Sequence, residues 1–239
     1  ITLYNLILSV LNLRTVNTSY AEVATQLGEL SIDKLFKDGK NIQQHFFFDD
    51  NDGKASYAHF VQTFRNGNWK INDKGSYILI TPIKGKAIEI YANKPTQEYA
   101  GQDAIKAHFK ETKRYPDLVV HRGHSYYVDA AIESLTPNAE LVFLGSCGGY
   151  NNINNVLHYA PNAHIIASKQ IGTMLVNDRV LLTINETLRK GNSLVWDALW
   201  SDLTRKFGQG NIAAERFQDY IPPHQNPGAL LISSYRKLL

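Results

Sequence analysis

The sequence predicts an α/β fold in which helices cover both faces of a mainly parallel sheet. After about residue 41, short hydrophobic runs alternate with segments of helical periodicity. Two of the runs, residues 118–120 and 141–144, contain no polar side chain. Strands of this composition are typically covered on both faces, as in parallel sheets, so we expect three layers with the sheet in the middle.

The composition is that of a globular protein. Of the 239 residues, 44% are hydrophobic and 20% are charged, a balance that allows a sizeable core and disfavours disorder. The net charge is only +3 and the basic residues are scattered, so nucleic-acid binding is not expected. A single cysteine, Cys147, excludes a disulfide, a zinc knuckle and a CxxC redox pair within this sequence.

Residues 1–40 are predicted to form a helical arm, and residues 41–239 a separate domain. Residues 1–13 are hydrophobic at helical spacing, but Asn5, Ser9 and Asn12 interrupt them, so a packing helix is expected and not a membrane span. No basic stretch precedes it, as a signal peptide would require. Because the chain does not begin with Met, a removed signal and a secreted or periplasmic location stay open.

The alternating pattern begins with an aromatic run, residues 46–48, that stops at the acidic turn 49–53. The turn does not fit an EF-hand, because Phe48 stands where the first calcium ligand is needed and no glutamate closes the loop. We expect a turn and a helix N-cap there instead.

Periodicity and turn residues then define the remaining elements. A hairpin is expected where two β-rich runs flank Lys84-Gly85. Strands are predicted at residues 77–83, 86–92, 118–120, 141–144 and 164–167. Helices are predicted at residues 55–64, 102–114, 128–134, 152–159, 178–190 and 194–207.

Two loops follow buried strands and carry reactive side chains. The first is His121-Arg122-Gly123-His124-Ser125, and the second is Gly145-Ser146-Cys147-Gly148-Gly149. Since loops at the carboxyl ends of neighbouring parallel strands converge, we expect His124 and Cys147 to meet at one edge of the sheet. Flanking glycines and the start of a helix would expose the sulfur and favour its thiolate form.

The residues of these two loops also have simpler interpretations than a reactive Cys147/His124 pair. A lone cysteine is often a small buried hydrophobe, but the upstream histidine favours a reactive thiol. His121 is expected to be a structural residue at the strand end. A zinc site is disfavoured, because only Asp129 and Cys147 could join His121 and His124 as ligands.

The two loops resemble the signature of the clan CD cysteine peptidases, which include caspases, legumain, clostripain and gingipains. They are most similar to the bacterial clostripain and gingipain-like members, whose histidine loop reads Gly-His-Gly-Ser and whose nucleophile follows a small residue. Here Gly123-His124-Ser125 corresponds to the first motif, with Ser125 in place of the second glycine, and Ser146-Cys147 corresponds to the second. The resemblance covers roughly residues 41–190 and implies a three-layer caspase-like sandwich.

The resemblance implies a cysteine endopeptidase that acts on peptides or proteins through a Cys147/His124 dyad and requires no metal or organic cofactor. Cys147 would attack the scissile carbonyl, and His124 would protonate the leaving amine and then activate water. Backbone amides at Gly123, Ser125, Cys147 and Gly148 would bind the oxyanion.

The resemblance also implies a pocket for the P1 side chain after the next strand, at Ser168, Gln170 and Asp178. Asp178 would favour a basic P1 side chain. As the first residue of the predicted helix 178–190, it is expected instead to be the N-cap of that helix.

Two other functions fit the same residues. Gly145-x-Cys147-x-Gly149 is also the nucleophile-elbow pattern of α/β hydrolases and amidotransferase-like enzymes, whose histidine follows the nucleophile. The candidates are then His158, His164 and His224, of which His224 in the Pro-rich tail is the best placed.

The second alternative is a catalytically silent caspase-like module that binds partners. Ser125 and the short spacing of 23 residues between His124 and Cys147 motivate it.

Overall fold

The computed structural model describes residues 16–237. The predicted helix at residues 1–13 lies outside that range. Strands are numbered along the described chain as β1 (Glu29–Leu30), β2 (Asn41–Phe47), β3 (Trp69–Asp73), β4 (Tyr77–Pro82), β5 (Ile88–Asn93), β6 (Leu118–Arg122), β7 (Leu141–Leu144), β8 (His164–Ser168), β9 (Leu194–Val195) and β10 (Tyr220–Ile221).

The helices are numbered in the same way as α1 (Val16–Gly28), α2 (Ile32–Leu35), α3 (Asn51–Thr63), α4 (Glu98–Thr112), α5 (Val128–Glu133), α6 (Ile153–Tyr159), α7 (Met174–Arg189), α8 (Trp196–Phe207), α9 (Ile212–Phe217) and α10 (Pro227–Arg236). None of these helices, within residues 16–237, is both long and apolar enough to cross a membrane.

Eight strands form the central sheet in the order β10-β8-β7-β6-β2-β5-β4-β3. The five strands from β5 to β8 in this order are mutually parallel. β3 and β4 extend one side as an antiparallel hairpin, and β10 adds an antiparallel strand on the other side. The mainly parallel sheet predicted from the apolar runs is therefore confirmed.

Alternate side chains of the strands point into two separate cores. On one face, Phe47 of β2 and Val120 of β6 pack with Phe60 of α3 and with α7 and α8. On the other face, Phe46 and Val119 pack with α1, α5, α6 and α10, while Ile105 and Phe109 of α4 cover Ile42. This is the three-layer α/β architecture predicted for a caspase-like fold.

The predicted acidic turn and hairpin are both present. Asp50 is the N-cap of α3, where its Oδ1 accepts a hydrogen bond from the backbone N–H of Gly53 at 2.6 Å. β4 and β5 pair antiparallel, as expected from Lys84-Gly85 between them.

Several elements were not predicted from the sequence. β3 is an edge strand of five residues that ends in Asn72-Asp73, and β1, β9 and β10 have only two residues each. Two helices near the C-terminus, α9 and α10, were also missed; Asn211 and Asn226 cap their first turns. Short edge strands and capped surface helices bury few side chains, which weakens the hydrophobic period that prediction uses.

The described part of residues 16–40 contacts the rest of the chain at several places. β1 pairs antiparallel with β9, through Glu29 opposite Val195 and Leu30 opposite Leu194. α1 packs against α10 through the second core, in which Val23 is buried. A domain boundary near residue 40 stays a prediction.

Candidate active site

The two reactive loops leave neighbouring parallel strands at the same edge of the sheet. β6 and β7 pair with His121 opposite Leu144. The register continues one residue further, because the backbone N–H of Gly145 donates to the carbonyl of His121 at 3.1 Å. His124 and Cys147 each follow three residues after a paired strand position, so the topology brings both to the carboxyl edge.

Cys147 lies in a sharp turn and its side chain is exposed to solvent. Gly148 next to it has φ of 63°, a left-handed conformation that glycine adopts without steric cost. A short 3₁₀ turn, Gly149–Asn152, then leads into α6. The thiol is therefore accessible to a substrate and is not part of the apolar core.

Hydrogen bonds from the end of β8, from the segment after it and from α7 hold the backbone on both sides of Cys147. Asn177 Nδ2 donates to the carbonyl of Gly145 at 3.0 Å, and Ser168 Oγ donates to the carbonyl of Ser146 at 2.6 Å. The N–H of Gly148 donates to the carbonyl of Gln170 at 2.8 Å. These bonds fix the polar groups of the loop backbone while the side chain of Cys147 stays free.

Close packing in this loop requires two glycines. A Cβ atom on Gly172 would lie 2.1 Å from the carbonyl oxygen of Gly145, and one on Gly145 would lie 2.7 Å from Nδ2 of Asn177. Both distances are shorter than any normal van der Waals contact. Three parts of the chain therefore meet here without room for side chains. They are the end of β7, the segment between β8 and α7, and α7 itself.

The histidine loop, residues 121–125, is held mainly by packing against aromatic side chains. Phe48 stacks on Tyr127 with ring centroids 4.4 Å apart and an interplanar angle of 2°. Gly123 lies directly on this platform, because a Cβ atom there would be 2.4 Å from Phe48 Cδ2. His124 in turn stacks on the exposed ring of Tyr126 at 5.1 Å and 12°. The imidazole of His124 thus sits half-buried on an aromatic surface.

His121 supports this loop from below. It is fully buried, and its Nε2 donates to the backbone carbonyl of His124 at 3.1 Å. Burial lowers the pKa of His121 to about 4, so the ring is neutral in the folded protein near pH 7. Within residues 16–237 no three potential ligands come together to hold a metal ion, and Asp129 is exposed on α5.

No hydrogen bond joins Cys147 Sγ to the ring of His124, although both side chains belong to the described part of the chain. In an unliganded peptidase a dyad is often long or poorly aligned, and it tightens when substrate binds. Both residues follow strand ends at the same edge, and Cys147 is exposed while His124 is half-buried.

The structure corrects the expected role of Asp178. The N-cap of α7 is Thr173, so Asp178 lies in the second turn of the helix. Its carboxylate is 2% exposed and accepts hydrogen bonds from Arg122 Nη1 and from His59 Nδ1, the latter at 2.5 Å. Because two donors already bind this carboxylate, it is not free to pair with a basic P1 side chain.

The other residues expected in the P1 pocket or the oxyanion site differ in their exposure and in their hydrogen bonds. Ser168 is fully buried and serves the loop through its bond to Ser146, whereas Gln170 is exposed beside Gly148. The N–H of Gly148 is already donated to Gln170, so the structure does not leave it free for an oxyanion. Ser125 is exposed at the start of the 3₁₀ turn Ser125–Tyr127.

The structure adds residues that sequence reasoning missed. Arg122 is fully buried, and its guanidinium lies 5.5 Å from the ring centroid of Phe47 while it binds Asp178. His59, Asn177 and Tyr220 come from α3, α7 and β10, far apart in the chain. A charged residue at the end of an apolar strand was the one available signal, and it could have identified Arg122 only.

The three histidines that follow Cys147 lie away from the carboxyl edge. His164 is the first residue of β8, and His158 is near the end of α6, which leads to that strand. β10 runs antiparallel to β8, with Tyr220 opposite Ser168 and Ile221 opposite Ala167. The chain therefore moves away from the carboxyl edge before it reaches His224.

Cys147 also lacks the strained conformation of a nucleophile elbow. Among the described residues Lys113 is the one non-glycine residue with positive φ. The positive φ in this turn belongs to Gly148 instead. Both observations favour His124 over the later histidines as the partner of Cys147.

Comparisons with known proteins include a distant structural likeness. No family model matches the sequence, and no curated protein matches it. Among solved structures, the chain is similar to a secreted C11 cysteine protease from Bacteroides thetaiotaomicron, determined in complex with an irreversible peptide inhibitor. The TM-score is 0.39 with 10% sequence identity, and the match covers 73% of this chain and 62% of that one.

Proposed function

We propose that the protein is a cysteine peptidase in which Cys147 is the nucleophile and His124 the general acid and base. The observation that supports this most is the pairing of β6 with β7, which brings an exposed thiol and a solvent-accessible imidazole to one edge of the sheet. Such a pair is sufficient for covalent hydrolysis of an amide.

The reaction begins with the thiolate of Cys147, which attacks the scissile carbonyl carbon. The oxygen takes up the electron pair of the carbonyl double bond. When the C–N bond breaks, His124 gives its proton to the leaving amine, and a thioester to Sγ remains. His124 then accepts a proton from water, the hydroxide attacks the thioester, and Sγ leaves as a thiolate.

Backbone amides are the available oxyanion donors. With the N–H of Gly148 donated to Gln170, the candidates are the N–H of Cys147 and those of Gly123 and Ser125 in the histidine loop. A donor of this kind contributes about 10²–10³-fold to the rate of acyl transfer. The buried ion pair of Asp178 with Arg122 argues against a free carboxylate as the P1 determinant.

Alkylation of the thiol tests the nucleophile and its partner without a known substrate. The rate of reaction of Cys147 with iodoacetamide is measured against pH in the wild-type protein and in H124A, H224A and H158A. We expect faster alkylation than that of free glutathione at neutral pH, with this enhancement lost in H124A alone. Loss in H224A alone would support the elbow enzyme instead.

Hydrolysis is tested with a peptide library and a cysteine-directed inhibitor. The wild-type protein should cleave a subset of peptides, and C147A should cleave none. H124A should lower the rate by about 10²–10⁴-fold. If the folded wild-type protein neither cleaves peptides nor reacts with the inhibitor under reducing conditions, the silent binding module is the better interpretation.

A further inference from the structure

A directional chain of hydrogen bonds links the last strand of the sheet to the loop of Cys147. The backbone N–H of Thr173 donates to Tyr220 Oη at 2.9 Å, and the hydroxyl of Tyr220 donates to Asn177 Oδ1 at 2.6 Å. Asn177 Nδ2 then donates to the carbonyl of Gly145 at 3.0 Å. The chain ends two residues before the proposed nucleophile.

Both side chains in this chain are buried, each 3% exposed. Their polar atoms must therefore find partners within the protein, and each does. Because the carbonyl of Gly145 can only accept, Nδ2 of Asn177 faces it, and the hydroxyl of Tyr220 donates to Oδ1 and holds the amide in that orientation. That orientation leaves Nδ2 to bind Gly145.

The hydroxyl of Tyr220 stays protonated over the working range of a peptidase. Burial raises the pKa of Tyr220 above its ordinary value, and the nearby Cys147 and Asp178 raise it further. The donor to Asn177 is thus permanent across neutral pH.

We propose that Asn177 and Tyr220 are positioning residues that hold the Gly145–Cys147 backbone in the orientation from which Sγ attacks the substrate. The inference rests on the proposed role of Cys147 as nucleophile. Tyr220 reaches the loop from β10 and Asn177 from α7, so a segment at the far end of the chain controls the geometry of the site. A displacement of about 1 Å in such a site costs about 10²-fold in rate.

The same helix provides a matched control. Asn185 lies eight residues after Asn177 on α7 and is fully buried. Its Oδ1 accepts from Gln43 Nε2 at 2.7 Å, and its Nδ2 donates to the carbonyl of Leu181 at 2.9 Å. Asn185 therefore matches Asn177 in residue type, helix and burial, but its partners are remote from the Cys147 loop.

The experiment compares N177D, Y220F and N185D with the wild-type chain. N177D keeps the shape of the side chain but turns an oxygen toward the carbonyl of Gly145. Y220F keeps the ring and removes the donor. For each protein we measure the melting temperature, the rate of alkylation of Cys147 by iodoacetamide against pH, and kcat and KM for the best peptide of the library screen.

We expect N177D to lower kcat about 10–100-fold, with KM within about 3-fold of wild type, and to slow alkylation at neutral pH. Y220F should lower kcat about 3–10-fold, as expected for one lost hydrogen bond. N185D should lower the melting temperature by a similar amount yet leave kcat and the alkylation profile unchanged. Y220F keeps the test decisive if N177D does not fold.

Two results would overturn the positioning role while leaving Cys147 as nucleophile. One is an N185D variant that loses as much kcat as N177D at the same loss of melting temperature. The other is N177D and Y220F proteins that react and hydrolyse as the wild type does. If wild-type Cys147 itself reacts no faster than glutathione, the proposed function fails and the positioning role fails with it.

Discussion

The loop of Cys147 and the loop of His124 leave adjacent strands, but different interactions hold them. Side-chain and backbone hydrogen bonds fix the carbonyls of Gly145 and Ser146 and the N–H of Gly148. The histidine loop instead lies on stacked rings, with Gly123 against Phe48 and His124 against Tyr126. Directional bonds set the backbone of the proposed nucleophile, and packing sets the ring of its partner.

This difference predicts that the two loops respond to different substitutions. Loss of a ring should disturb the histidine loop through packing and leave the hydrogen bonds of the Cys147 backbone in place. Loss of space or of a donor in the Cys147 loop should disturb the thiol first. Four variants test the contrast, in order of decreasing effect on stability.

Removal of the aromatic platform should have the largest effect. Phe48 is 1% exposed and contacts Tyr127, His121 and Gly123, so F48A leaves a cavity beneath the histidine loop. We expect the free energy of unfolding to fall by about 3–5 kcal/mol, measured by denaturant titration. F48L, which refills much of the volume, should recover part of this loss; a loss below about 1 kcal/mol in F48A would mean that rings do not hold the loop.

Low pH should destabilise the histidine loop selectively, through protonation of His121. The folded-state pKa of about 4 lies below the ordinary value near 6.5. The stability contributed by the neutral ring is therefore present above pH 6.5 and is lost as the pH falls toward 4, by about 3 kcal/mol at most.

The variant H121Q should remove this part of the acid dependence, measured as the free energy of unfolding at pH 7, 6, 5 and 4. The remaining acid loss comes from groups such as His164, whose pKa burial lowers to about 3. The exposed His158 provides the control, since H158Q should leave the profile unchanged. Equal profiles for H121Q and wild type would contradict the prediction.

Crowding of the Cys147 loop should cost less stability than removal of the Phe48 ring. It should, however, change the reactivity of the thiol. In G172A the new methyl group would lie 2.1 Å from the Gly145 carbonyl, so the backbone must shift. We expect a loss of about 1–3 kcal/mol and slower alkylation of Cys147. G28A is the control, because a Cβ there meets nothing within 4 Å. A G172A protein with the wild-type melting temperature would contradict this prediction, because it would show that the loop accommodates an extra methyl group.

The smallest effect on stability is expected for Tyr126, whose exposed ring stacks on His124. Tyr126 is 68% exposed, so Y126A should change the free energy of unfolding by less than about 1 kcal/mol. Because its ring stacks on His124, peptide hydrolysis should fall about 2–10-fold. Tyr99, also largely exposed, serves as the control through Y99A. Equal activity in Y126A and Y99A would remove Tyr126 from the site.

Much of the fold followed from local pattern. The parallel strands β6, β7 and β8 were predicted because strands covered on both faces are continuous apolar runs. A helix N-cap within the acidic turn 49–53 was predicted because a short acidic side chain before a helix binds free N–H groups, and in the structure this residue is Asp50. Three helices, α3, α4 and α7, each begin four residues before their predicted start. In α7 the start was placed at Asp178 because the first turn, Met174–Asn177, carries no charged side chain to mark it.

The sequence by itself determined the candidate pair, because a histidine and a cysteine that each follow a buried parallel strand are brought to the same edge by chain topology. Only the tertiary structure decided the rest. The partners of Asp178, the backbone bond of Gly148 and the chain from Tyr220 to Gly145 join residues between about 20 and 120 positions apart. Such contacts have no local period, since hydrogen bonds in a buried site depend on how helices and strands pack and not on the spacing of residues along one of them.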